Sequence, residues 1–200
     1  MQIEGVIFDL DGTLVDSALD FDQIRTDMGV AADDPILESL ETMTAERRQQ
    51  CEQVLLRHEL QGVERAAPFP GVIELLRQLI DRGLRLAIVT RNRADCALAT
   101  IEATLPACWD PVISRDDGPI KPNPWGIREI CRQWEVDPAC VVMIGDYVYD
   151  IESGRQAGAR TALFARGRDR DKLTGADIAD HVFDSFDNQG ELLAWLLKPL

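Results

Sequence analysis

Gly5-Val-Ile-Phe-Asp-Leu-Asp-Gly-Thr-Leu-Val-Asp-Ser17 is the stretch that most restricts what this chain can fold into. Val6 to Phe8 is a short apolar run suited to a buried strand. It delivers two aspartates, Asp9 and Asp11, to the strand's carboxyl end, followed by Gly12 and Thr13. In an open α/β sheet that end of a strand is where ligands bind. Two carboxylates so close repel each other unless a cation or a shared proton compensates, so the pair points to a hard metal such as Mg2+.

After Asp16 the texture becomes helical. Phe21, Ile24 and Met28 are spaced for one helix face, closed by Gly29, and Asp34-Pro35 supplies an N-cap and first-turn proline for a short helix with Ile36, Leu37 and Leu40. Thr44 then starts a longer helix carrying Cys51, Val54 and Leu55, so residues 17–66 read as an all-helical insertion, ended by the turn-rich Pro68-Phe-Pro-Gly71. From there strands and helices alternate. A helix with Val72, Leu75, Leu76 and Leu79 stops at Gly83, and a strand from Leu84 to Val89 ends on Thr90. A helix through Ala94, Leu98 and Ile101 leads to a strand near Val112-Ile113. Asn123 caps a helix with Ile127, Ile130 and Trp134 inward, and the strand Val141 to Ile144 ends in Gly145-Asp146. Ile151 to Ala157 is expected to be a helix, Thr161 to Phe164 a strand, Arg166 to Gly175 a surface loop, and Ala176 to Phe183 an edge strand. Leu192, Leu193, Leu196 and Leu197 ride on a terminal helix. This alternation predicts an α/β fold, a Rossmann-like parallel sheet with helices on both faces, with a small helical cap inserted after the first strand. Residues 1–16 and 67–200 would form the core and 17–66 the cap.

The 200 residues, 46% of them hydrophobic, can build such a core with an insertion. A net charge of −14 works against nucleic-acid backbones and anionic membranes and leaves a small molecule as the expected partner. The five cysteines are scattered without a Cys-x-x-Cys pair, and there are two histidines, so neither zinc nor a disulfide framework is supported. With no targeting segment or transmembrane-length apolar run in the sequence, a cytoplasmic location with reduced thiols is expected.

Four strand-end positions then align: Asp9 and Asp11, Thr90, Lys121 just before a helix, and Asp146 with Asp150. All should gather at one edge of the sheet. A carboxylate nucleophile, a hydroxyl for a phosphoryl oxygen, an ammonium to neutralise it and carboxylates for Mg2+ make a toolkit for phosphoryl transfer through an aspartyl-phosphate.

Asp9-Leu-Asp-Gly-Thr-Leu14, Ile88-Val-Thr-Arg-Asn92, Lys121-Pro122 and Gly145-Asp-Tyr-Val-Tyr-Asp150 together resemble the four motifs of the haloacid dehalogenase superfamily, over essentially the whole chain. Within it the chain looks like the phosphoglycolate-phosphatase-like hydrolases with a helical cap between the first two motifs. The resemblance implies Asp9 as nucleophile and Mg2+ ligand, and Asp11 as general acid and base with its main-chain carbonyl on the metal. Asp146 would be a further ligand, and Asp150 would hold a metal-bound water or orient Lys121. Thr90 and the Arg91 backbone N–H would bind phosphoryl oxygens, and Lys121 would balance charge. Tyr147 departs from the serine common in relatives. Arg25, in the cap, is a candidate for gripping an anionic substrate, ahead of Arg47 and Arg48. His58, His181 and the four tryptophans read as packing or surface residues.

The implied activity is Mg2+-dependent hydrolysis of a small phosphomonoester, phosphoglycolate-like or a sugar phosphate. Within the superfamily, a dehalogenase would lack the acid at Asp11, and a phosphonatase would need a cap lysine, which residues 17–66 do not contain. A phosphomutase of the β-phosphoglucomutase type shares all four motifs and remains an alternative. A non-turnover receiver-like phosphoprotein is a further alternative, although a signalling receiver domain would be shorter and lack the helical insertion; a catalytically dead binding protein of the same fold would not need the intact carboxylates.

Overall fold

In the structure, a computed structural model that describes residues 2–198, the chain enters through strand β1 (Gly5–Phe8) and the short strand β2 (Val15–Asp16). Three helices follow, α1 (Phe21–Met28), α2 (Ile36–Glu41) and α3 (Ala45–Arg65), and the chain returns through β3 (Ala67–Pro68), which pairs antiparallel with β2. Then come α4 (Val72–Asp81), β4 (Arg85–Val89), α5 (Ala94–Thr104), β5 (Val112–Ile113), α6 (Trp125–Trp134) and β6 (Val141–Gly145). Last are α7 (Val148–Ala157), β7 (Arg160–Phe164), β8 (His181–Phe183) and α8 (Gln189–Leu196). Contacts divide the chain into two compact units, Met1–Asp16 with Ala67–Leu200, and Ser17–Ala66.

The larger unit is a six-stranded parallel sheet in the order β5-β4-β1-β6-β7-β8. β1 is central because all its side chains are apolar or absent and every position is buried, as a strand covered on both faces requires. Its alternation divides the core: Val6 and Phe8 pack with α4, α5 and α8, whereas Ile7 packs with α6 and the end of α7. On α4, Val72, Leu75, Leu76 and Leu79 are buried, each contributing about 1.5–3 kcal/mol. Ile127, Ile130 and Trp134 do the same from α6 on the other face.

The smaller unit has its own apolar centre, Ile24, Met28, Ile36, Leu40, Cys51 and Leu55. The Asp20 carboxylate caps α1 by accepting from the N–H groups of Asp22 (3.1 Å) and Gln23 (2.9 Å), and Gly29 ends it in the left-handed region at φ 63°. Arg47 donates to the Met28 carbonyl, tying α3 to the end of α1.

Several local expectations are corrected. Phe21 is exposed, because a side chain at a helix's first position has no preceding turn to cover. Leu98 is exposed as well: α5 turns Cys96, Ala97, Thr100 and Ile101 inward, presenting mostly small residues to the core. Pro68, expected in a turn, belongs to β3. Helix α7 starts at Val148, earlier than Ile151, since the Asp150 carboxylate accepts the Tyr147 N–H at 3.0 Å and caps a turn there. The edge strand expected from Ala176 is only His181–Phe183. Gly175 at φ 95° and the bonds from the Ile178 (3.3 Å) and Ala179 (3.0 Å) N–H groups to its carbonyl keep the preceding residues in turns. Leu197 is exposed past the end of α8.

Candidate active site

Parallel pairing in register places the carboxyl ends of β4, β1 and β6 side by side, with Phe8 opposite both Ile88 and Ile144. Asp9, Thr90 and Asp146, each the residue after its strand, therefore emerge at one edge. The Asp9 N–H donates to the Ile144 carbonyl at 2.9 Å, and the Thr90 N–H to the Ile113 carbonyl at 2.9 Å, so the ladders fix both backbones past the strand ends. The tight turn after Asp9 needs Gly12: its φ is 88°, and a Cβ there would lie 2.7 Å from an Asp146 carboxylate oxygen.

Lys121 is 2% exposed, and its Nζ donates to the Asp9 Oδ1 and the Asp150 Oδ1, both at 2.6 Å. Asp9, Asp146 and Asp150 each offer a carboxylate oxygen within 4.8 Å of the others. One ammonium thus faces three acids. Burial is the main cause that raises Asp9, to about 8, and the nearby Asp150 and Asp146 add to it against the pull of Lys121. Burial likewise raises Asp146 to about 6, with Asp150 adding and Arg168 and Arg166 opposing. Burial alone would lower Lys121, but Asp150 and Asp9 outweigh it and hold the ammonium above its ordinary value. The cluster of three acids around one lysine is compatible with a bound cation. Its donors are hard carboxylate oxygens with no histidine or cysteine among them, which fits a divalent ion of the Mg2+ class.

The Asp11 carboxylate stands outside this group, and its Oδ2 accepts from the Asn92 Nδ2 at 3.0 Å. Asn92 is itself buried and oriented, its N–H donating to the Thr90 Oγ1 at 3.0 Å and its Oδ1 accepting the Arg93 N–H at 2.8 Å. Because the Thr90 hydroxyl oxygen accepts there, its own proton stays available for a ligand oxygen. Arg91 donates from Nη1 to the Lys121 carbonyl, and its guanidinium lies 4.7 Å from the Tyr149 ring centroid, so its side chain braces the lysine's loop. Tyr147 contributes its N–H to Asp150, while its ring is exposed and packs edge-on against Tyr149.

Arg25 lies in the smaller unit, where its Nε donates to the Asp34 carbonyl (3.0 Å) and its Nη1 to the Asp22 carboxylate (3.1 Å). His58 pairs with Asp27 at 2.8 Å, and His181 stacks between Phe183 and Trp195.

Three contributors went unread in the sequence. The Thr13 hydroxyl is 3.4 Å from both Asp9 and Asp146. Asn92 could have been found as the polar side chain just beyond a strand end. The segment from Arg166, expected as a surface loop, sends Arg168 to the Asp146 carbonyl (2.8 Å) and carboxylate (3.4 Å), and Arg166 to within 3.6 Å of that carboxylate. The one available signal was that this loop follows a strand adjacent to β6 and so opens at the same edge.

The chain thus combines a parallel α/β sheet, an acidic, lysine-bridged cluster at the sheet's carboxyl edge and a helical insertion between β2 and β3, and comparison with known families gives its class. The haloacid dehalogenase-like hydrolase family matches residues 3–158, and the chain belongs to that family. It is 30% identical to a haloacid dehalogenase-like hydrolase domain-containing protein of Arabidopsis thaliana, over 81% of this chain and 71% of that one. It is 29% identical to an N-acetylmuramic acid 6-phosphate phosphatase of Pseudomonas aeruginosa, over 94% and 95% of the two chains. Among solved structures, a predicted phosphoglycolate phosphatase of Haemophilus somnus superposes with a TM-score of 0.76 at 20% identity, covering 96% of this chain and 99% of that one, a likeness of fold.

Proposed function

We propose that this hydrolase is a Mg2+-assisted phosphatase that cleaves a small phosphomonoester through an aspartyl-phosphate on Asp9. The observation that carries the reading is the separation of the two aspartates: Asp9 is buried against Lys121 among other acids, whereas Asp11 is held apart by Asn92. This separation supports Asp9 as a charge-balanced nucleophile and Asp11 as the group that moves protons. The phosphatase among its relatives that it matches over nearly the full length supports the same reading.

In this mechanism an Asp9 carboxylate oxygen attacks phosphorus and the bond to the ester oxygen breaks. Asp11, entering protonated, gives its proton to the leaving alkoxide. The resulting Asp11 carboxylate takes a proton from water, whose oxygen attacks phosphorus, releases phosphate and restores the Asp9 carboxylate. Thr90, the Arg91 backbone N–H and Lys121 bind the phosphoryl oxygens and stabilise the charge that shifts onto them. The carboxylates of Asp9 and Asp146, with the Asp11 main-chain carbonyl and Asp150 beside them, would hold Mg2+, which when bound supplies positive charge against the phosphoryl group. Residues 17–66, with Arg25, would serve as a cap that selects the leaving group. Among the described residues no helix is long and apolar enough to cross a membrane, and with its reduced thiols a cytoplasmic site of action is proposed.

The test is phosphate release from a panel of phosphomonoesters, with Mg2+ and with EDTA. Turnover of one or more esters that disappears on chelation and returns with Mg2+ is expected. Full activity in metal-stripped enzyme would overturn the reading.

A further inference from the structure

Arg168 touches both the main chain and the side chain of Asp146, a residue of the acidic cluster. It comes from the loop after β7, and its side-chain bonds go to groups at strand ends. Nε donates to the Ala165 carbonyl at 2.9 Å, and Nη2 donates to the Phe164 carbonyl at 3.1 Å and the Asp146 carbonyl at 2.8 Å. The same Nη2 is 3.4 Å from the Asp146 carboxylate. The planar fork of an arginine can bridge carbonyls from two neighbouring strand ends at once, which an ammonium, a point charge on a flexible stem, cannot hold with the same geometry. The Asp146 and Ala165 carbonyls lie just past the ends of β6 and β7 and the Phe164 carbonyl at the last residue of β7, so the guanidinium joins the two strand ends; the Ala165 carbonyl also accepts the Arg168 N–H at 3.0 Å.

We propose that Arg168 is a positioning residue for Asp146, a clip that fixes the backbone of that carboxylate relative to β7 and so presets the cluster for a divalent cation. The proposal rests on the metal reading given above. Charge and geometry make opposite demands, which gives the idea an edge. A guanidinium beside a metal-binding carboxylate repels the cation, so removing it should tighten metal binding if charge were its main effect. Its side chain is 42% exposed, however, and solvent screens that repulsion. The contact to the Asp146 carbonyl has a neutral acceptor and bears on a bound cation through the position of the main chain. Arg166 remains 3.6 Å from the same carboxylate and over the Phe69 ring, so loss of Arg168 does not strip Asp146 of cationic neighbours. What is lost is the main-chain clip.

The experiment is calorimetric titration of full-length protein with Mg2+, for wild type, Arg168→Met, Arg168→Lys and Arg170→Met, with a thermal melt of each. Arg170 pairs with Asp184 in the same loop region and does not reach Asp146, so Arg170→Met reports general loosening of the loop. Both Arg168 variants are expected to weaken Mg2+ binding by about 10-fold or more, the range for partners that orient a ligand from outside. Arg170→Met should bind as wild type does. Arg168→Lys decides the matter, since it keeps the charge and loses the fork. Wild-type-like affinity in Arg168→Lys, or unchanged or tighter affinity in Arg168→Met, would overturn the proposal while leaving the phosphatase reading intact. Wild type that binds no Mg2+ would remove the metal reading and this inference with it.

Discussion

Replacing Lys121 by Met keeps the length of the side chain and takes away the only ammonium among three clustered acids. With the native lysine 2.6 Å from both Asp9 and Asp150 and 2% exposed, the variant has two ways to adjust. It can keep an uncompensated carboxylate buried, a change that costs about 3–5 kcal/mol when one partner of a buried pair is removed. Alternatively its folded state can bind one more proton than wild type. That costs about 1.4 kcal/mol for every pH unit above the ordinary carboxylate value near 4, so roughly 4 kcal/mol at pH 7 and roughly 1.5 kcal/mol at pH 5. The smaller cost governs. The variant should therefore be less stable than wild type by about 4 kcal/mol at pH 7 and about 1.5 kcal/mol at pH 5, a difference that grows with pH because its native state holds the extra proton. Urea melts of both proteins in EDTA, at pH 5, 6 and 7, measure this directly. A stability loss that is the same at pH 5 and pH 7 would show that Lys121 acts by packing and would refute the electrostatic account of the site.

The raised pKa values of Asp9, about 8, and Asp146, about 6, make a second prediction. Their native states bind more protons than the unfolded chain, so the stability they contribute is present below the unfolded carboxylate value and is lost as pH climbs through 6 to 8. Mg2+ replaces those protons, and the rise in Tm on adding it should be larger at pH 8 than at pH 5; an equal or reversed shift in scanning fluorimetry would contradict the assignment. At Gly145 an added Cβ would sit 2.2 Å from the Asp150 side chain, so Gly145→Ala should cost about 1–3 kcal/mol by overpacking and displace Asp150 from Lys121, read by thermal melts and by lost turnover. Finally, acid quench and mass spectrometry should find a phosphorylated Asp9 in wild type and none in Asp9→Asn. Asp11→Asn should keep Mg2+ binding yet lower turnover by roughly 10²–10⁴-fold, and equal loss of metal affinity in the two variants would argue against separate roles.

The framework was legible wherever an element's chemistry is local. Val6 to Phe8, Leu86 to Val89 and Val141 to Ile144 are apolar runs with no polar residue to solvate, and such runs have few places to go except the centre of a sheet. Once they pair in parallel, the proximity of Asp9, Thr90 and Asp146 follows from register alone. Legibility failed where a single turn bond, with no periodicity to announce it, decides an element's boundary. Nothing near Ala176 announces that bonds to the Gly175 carbonyl will delay the last strand until His181, and nothing near Ile151 announces that α7 begins earlier because Asp150 turns back to the Tyr147 N–H.

The same distinction explains why the loop after β7 looked featureless. Arg166 and Arg168 lie in a charged run with no apolar periodicity to place them on an element. Their partners are the Asp146 carboxylate and the carbonyls left over where two adjacent strands stop. Those carbonyls come within reach of one guanidinium because β6 and β7 end side by side, and Asp146 needs opposing charge because burial and Asp150 press on it. A clustered acid at a sheet edge therefore creates its own demand for cations, and Lys121 meets it from within while Arg166 and Arg168 meet it from the rim. The first could be read from a lysine before a helix in a chain with three lysines. The second could be read only after the strand order was known, since it is the adjacency of β6 and β7 that turns a charged loop into part of the site.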